Sequence, residues 1–177
     1  MDLSFLDKRL DYISFLMGLS FFLLALSSVS IKMEKSRHLP WVWFSVACFT
    51  FTISSWLSIY GQSYNTDIRI SVIFLLVEYL SVSLLLEFTR QGWRVVQGRA
   101  PGFWIHGLVP LFSLFFLWRA GVNGALSALA YLFVIPTGIW TALLFIRAAK
   151  LVQAGGRYLL TTGFLLGLFM LTAGWVF

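Results

Sequence analysis

Of the 177 residues in the chain, 59% are hydrophobic and only 11% charged, against about 25% charged in an ordinary soluble domain. With a mean hydropathy of +0.86, this composition excludes a water-soluble globule, whose surface rarely tolerates apolar patches beyond a few hundred Å². The net charge of +6 resides in short basic clusters between apolar runs and forms no long stripe; that argues against nucleic acid as a partner and points to membrane orientation.

Ahead of the first apolar run, Leu3, Phe5, Leu6 and Leu10 alternate with Asp2, Asp7, Lys8 and Arg9. The pattern suits a short interfacial turn of helix or a polar N-terminus. The first run covers about 12–31. It is too long for the core of a signal peptide, and Lys32, Met33, Glu34, Lys35 and Arg37 follow it instead of a small-residue cleavage site, so it reads as a retained helix. The second helix spans about 39–60 and opens on Pro40, which suits a first helical turn. The third spans about 68–89. The fourth, about 102–118, follows Pro101 and holds Gly107 and Pro110, so it is either a kinked crossing or a broken segment covered by protein. The fifth spans about 126–148 and the sixth about 158–177. Each approaches the roughly 20 residues that one helical crossing requires. The expected fold class is therefore all-α: a polytopic transmembrane bundle of about six helices, forming a single domain over 1–177.

Orientation follows from the connectors. The first holds Lys32, Lys35 and Arg37, the third Arg90, Arg94 and Arg99, and the fifth Arg147, Lys150 and Arg157. The second holds only Arg69 and the fourth only Arg119. This alternation assigns the odd connectors to the cytoplasm and the N-terminus to the outside. Trp41, Trp43, Trp56, Tyr60, Trp93, Trp104, Trp118 and Trp175 fall near predicted helix ends, as interfacial aromatic belts do, whereas Trp140 falls mid-helix and is expected to pack.

Few residues carry chemistry. Glu78 lies near the middle of the third helix, where a charge costs at least about 2.5 kcal/mol, so it is a candidate proton- or ligand-sensing acid. Ser71 and Ser81 share its helical face and are candidate partners in a polar seam; a structural hydrogen bond to an adjacent helix is the alternative. Glu87 is on the opposite side of the same helix, near its cytoplasmic end, and is expected to form an interfacial ion pair with Arg90. Pro110 and Pro136 are hinge candidates, because proline frees a backbone carbonyl and kinks a helix. Gly163 and Gly167 form a small-xxx-small pair for close helix packing, within the chain or in a homodimer. Ser45, Thr50, Thr52, Ser54, Ser55 and Ser58 give the second helix a hydroxyl-rich seam. Cys48, alone in an apolar run, has no intrachain disulfide partner. His38 and His106 lack the partner pattern of a haem or metal site. No cofactor and no metal is expected. An enzyme is disfavoured and no catalytic residue is assigned, since outside Glu78 no ionisable groups converge in the hydrocarbon region.

Two stretches, Leu39-Pro40-Trp41-Val42-Trp43 leading into Ile53-Ser54-Ser55-Trp56-Leu57, and Ser83-Leu84-Leu85-Leu86-Glu87-Phe88-Thr89-Arg90, are similar to the N-terminal multi-pass membrane region of certain bacterial sensor histidine kinases. The likeness covers roughly the first three helices. That family tends to close its second helix on acid-Trp-Leu and its third on Leu-Leu-Glu-Phe-Gly-Arg; here Ser55 stands at the acid and Thr89 at the glycine. Neither a phospho-acceptor histidine motif nor an ATP-binding segment is present. The resemblance implies an input half that stops before a seventh helix and a downstream cytoplasmic kinase or cyclase domain, with Glu87 as a structural or signalling acid. The chain's end inside an apolar run, Ala173-Gly174-Trp175-Val176-Phe177, fits that expectation.

The expected function is thus a sensory or input module of a bacterial two-component signal-transduction protein. It would lie in the bacterial inner membrane, with the lipid bilayer as its partner. The alternative is a small transporter or channel subunit with Glu78 in its path; the absence of related halves weighs against it.

Overall fold

A computed structural model of the chain describes residues 3–33, 39–63, 68–150 and 156–176, with side chains described over 12–29, 39–60, 68–150 and 157–168. Among the described residues every regular element is helical: α1 (Leu3–Met33), α2 (Trp41–Ser63), α3 (Ile68–Gln97), α4 (Ile105–Leu129), a π-helical turn (Ala130–Val134), α5 (Ile135–Ala148) and α6 (Gly156–Val176). Four stretches are long and apolar enough to cross a membrane: Tyr12–Val29, Trp41–Tyr60, Ile68–Gln97 and Ile105–Ala148. Lys35, Arg37, His38 and Phe177, and the side chains of Lys32 and Trp175, lie outside the described residues.

The helices depart from the sequence boundaries for local reasons. α1 takes in the mixed segment from Leu3 and continues unbroken into the apolar run. α3 runs on to Gln97, carrying Gly92 packed against Leu144 of α5 within it, so Arg90 and Arg94 sit on the helix rather than in a connector. Gly98 stops it in the left-handed region (φ 71°), and its N–H donates to the Arg94 carbonyl at 2.9 Å. Residues 102–104 form a turn before α4, not its first turn.

No loop separates the predicted fourth and fifth helices. The apolar stretch Ile105–Ala148 has 44 residues; straight, it would extend about 66 Å, roughly twice the hydrocarbon thickness of a bilayer. It doubles back at Gly121, where φ 69° and ψ −167° define a backbone that essentially only glycine adopts. Past the reversal the two arms meet, with the Phe112 and Phe133 rings 6.1 Å apart. Further along, the helix widens into the π turn immediately before Pro136. Proline offers no N–H and its ring crowds the carbonyl one turn back, and a wider turn relieves that clash. Pro110 is carried inside α4.

Helix packing proceeds largely in chain order, with α3 as the hub: α1 meets α2, α2 meets α3, α3 meets both α4 and α5, and α5 meets α6. One core cluster joins α1, α2, α3 and α5 around mutually touching rings of Trp41, Phe44, Phe88 and Phe145. A second joins α3 to the α4 arms through Leu75, Val82, Leu86, Val109, Ala125 and Leu129. Trp41 is therefore a core residue and not a belt residue, and Trp93 is buried as well, stacked on Trp140 at 6.3 Å. Trp43, Trp56, Trp104 and Trp118 remain exposed.

Polarity is inverted relative to a soluble bundle. Ser28, Thr52, Ser81, Thr89 and Thr141 are almost wholly buried, while Leu111, Leu114, Phe115 and Leu165 face outward. Small and hydroxyl residues inside allow close helix approach where hydrophobic burial supplies no drive.

Candidate functional site

Three of the side-chain polar links between helices among the described residues converge on α3. Glu78, half-buried, is met by Ser54 of α2, whose hydroxyl donates to Glu78 Oε2. This partner comes from the hydroxyl-rich seam of α2 and not from α3. Ser81, on the same face as Glu78, is fully buried and donates to its own helix at the Val77 carbonyl, 2.8 Å away. Ser71 is half-buried and makes no hydrogen bond to Glu78 among the described residues. The side chains of α2 otherwise turn inward on their own backbone: Thr50 to Ala47, Thr52 to Cys48, Ser55 to Phe51 and Ser58 to Ser55. Ser45 is the exception, donating across to the Ala25 carbonyl of α1 at 2.9 Å.

Two turns and more toward the other end of α3, Glu87 faces the α4 side. Its carboxylate is saturated: Arg90 Nε donates to Oε2 at 2.8 Å and Arg90 Nη2 to Oε1 at 2.7 Å, a bidentate fork. Gln91 Nε2 donates to Oε1 at 2.6 Å, and His106 Nε2 of α4 lies 2.8 Å from Oε2. With the carboxylate accepting on both oxygens, His106 is bound through an Nε2–H. Phe103 backs the group, its ring 4.7 Å from the His106 ring and 5.8 Å below the Arg90 guanidinium. Arg90 and Gln91 are one helical turn from Glu87, so their reach follows from α-helical spacing. His106 arrives because Gly98 and the short turn at 102–104 bring α4 back against α3. The sequence expectation paired Glu87 with Arg90 alone and gave His106 no partner; the brevity of the 98–104 connector, which makes α3 and α4 antiparallel neighbours, is the signal that pairs them.

A third bridge ties α3 to α5. Thr89 Oγ1 and Thr141 Oγ1 are 2.6 Å apart, and each is also within 2.8 Å of a carbonyl one turn back, that of Leu85 or Thr137.

Gly163 and Gly167 face α5. A Cβ at Gly163 would lie 2.8 Å from the Ala142 carbonyl oxygen and 3.0 Å from Phe145 Cβ, while one at Gly167 would lie 3.4 Å from Ala142 Cβ. The pair is thus engaged within the chain. Cys48 is a buried free thiol, and among the described residues no three His, Cys, Asp or Glu side chains gather as a metal site. What the arrangement can do is hold three helices to α3 by short polar links, each of which breaks if the helices shift. Comparison with known protein families, with curated proteins and with solved structures finds no match to the chain.

Proposed function

We propose that the chain is a multi-pass membrane input module of a bacterial signal-transduction protein, transmitting a signal by displacement of helices against one another. The membrane part of this reading is supported by the inverted polarity, since a surface of Leu and Phe around buried hydroxyls suits lipid and not water. The orientation, with the N-terminus outside, rests on the alternation of basic residues at the helix ends and in the connectors between them. Contact between Trp93 of α3 and Arg147 of α5 supports it by bringing two basic ends together.

The observation that carries the signalling part is the role of α3. It packs against α2, α4 and α5, and each contact holds a polar link (Glu78–Ser54, Glu87–His106, Thr89–Thr141). A rotation or slide of this one helix would break links to all three neighbours at once, which is the behaviour of a two-state element that a signal can bias. The similarity of the Glu87 segment to sensor histidine kinases fits the same role. The test is the coding DNA beyond the codon for Phe177. A reading frame that continues into a seventh apolar helix and a kinase or cyclase domain supports the proposal; a stop codon directly after Phe177 removes it.

A second reading, a small transporter or channel subunit, draws on the Glu78–Ser54 contact, a polar link inside an apolar helix pair. It requires proteoliposome flux that Glu78→Gln abolishes.

A further inference from the structure

We propose that the cytoplasmic ends of α3 and α5 form a binding site for the headgroup of an anionic phospholipid, anchored by the Arg147 guanidinium lying over Trp93; the proposal rests on the membrane reading above. Two arginines at this end are held in contrasting ways. Arg90 is neutralised by the bidentate Glu87 carboxylate. Arg147 instead lies 5.1 Å from the centre of the Trp93 ring, which is buried and backed by Trp140. An indole face attracts a guanidinium but offers no acceptor for its N–H groups. Arg147 is exposed, and no described carboxylate reaches it: Glu87 is the only described acid at this end, and its oxygens are already occupied. The guanidinium is therefore pre-oriented on one face with its donors unspent, an arrangement suited to a phosphate oxygen pair.

The surroundings favour a lipid over a soluble anion. Arg94, next to Trp93, and Lys150, one turn beyond Arg147, are exposed and add positive charge. Lys150 also closes the C-terminal turn of α5, its N–H reaching the Arg147 carbonyl at 3.2 Å, where a cation is favoured by the helix dipole. Leu143, one turn before Arg147 on the same face of α5, and Val95, beside Arg94, are exposed apolar residues. Leu143, beneath Arg147, matches an acyl chain beneath a phosphate; a free anion would make no use of it. Basic pockets between helices on the cytoplasmic side are suited to such headgroups.

The experiment reconstitutes the chain in nanodiscs of phosphatidylcholine, alone or with phosphatidylglycerol, and counts retained lipids by native mass spectrometry. Wild type should retain phosphatidylglycerol in preference to phosphatidylcholine. Arg147→Gln should weaken that preference about fivefold, the worth of one basic residue near an anionic surface. Arg119→Gln, in the opposite connector, should leave it unchanged, and Arg147→Lys, which keeps the charge, should keep most of it. Equal retention by wild type and Arg147→Gln, with both variants equally helical, overturns the proposal while leaving the membrane reading intact. A chain that does not enter nanodiscs and stays monodisperse without detergent overturns both.

Discussion

His106 Nε2 lies 2.8 Å from Glu87 Oε2 and is the side-chain hydrogen bond that fastens α4 to α3. Both residues are mostly shielded, with side-chain exposures of 14% and 11%. Replacing Glu87 with Ala strands Arg90, Gln91 and His106 together, and should cost about 3 kcal/mol, the lower end of the penalty for breaking a buried pair. His106→Ala leaves the Arg90 fork intact and should cost less, about 1–2 kcal/mol. Unfolding by SDS titration in mixed micelles measures both, and a double-mutant cycle between them should give a coupling that Glu87 with Thr161, an exposed residue of α6 whose hydroxyl donates to the Arg157 carbonyl, does not share.

Gly163 and Gly167 of α6 should respond differently to the same change. Gly163→Ala drives a methyl into the Ala142 backbone carbonyl, which cannot swing away as a side chain can, and should destabilise by about 1–3 kcal/mol. Gly167→Ala meets only ordinary contact and should be neutral or stabilising by up to about 1 kcal/mol. The same titration checks the contrast, and equal effects would argue against close α5–α6 packing.

Gly121→Ala puts an L side chain on the φ 69° backbone of the 105–148 reversal; its Cβ would stand in open space, so the cost is backbone strain, about 1–3 kcal/mol. Cysteines placed at Phe112 and Phe133 should be joined readily by a bifunctional thiol crosslinker when Gly121 is kept and more slowly in the variant, as measured by gel shift.

Glu78 and Ser54 should couple weakly. Hydrogen bonds between membrane helices average about 0.6 kcal/mol in double-mutant cycles, and the cycle Ser54→Ala with Glu78→Gln should return a value near that. The input-module reading also expects proton permeability of proteoliposomes to be the same with Glu78→Gln as with wild type; a large drop would favour the transport reading.

Much of the chain's architecture follows from local sequence. Apolar runs bounded by charge or by Pro and Gly locate the helices, but the third, expected to end at about 89, continues to Gln97, because its last two turns carry charge without a break in the helix. The polar links are less legible, because a sequence fixes the angle at which a side chain leaves its helix but not which neighbour occupies that angle. Ser71 and Ser81 share a face with Glu78, yet Ser81 spends its proton on Val77 and the partner of Glu78 is Ser54, a seam residue of α2. Trp41 illustrates the same gap: its position at a helix start fits an interfacial ring, but the neighbouring Phe88 and Phe145 enclose it. The reversal at Gly121 falls within the predicted 119–125 connector, but only the backbone geometry shows that a single residue makes the turn.

At the Thr89–Thr141 bridge, three oxygen contacts are served by two hydroxyl protons. A valine at either position would leave the surviving threonine a carbonyl on its own helix to bond, so no donor is orphaned. The bridge is therefore redundant in its wiring, and what it sets is the separation between α3 and α5.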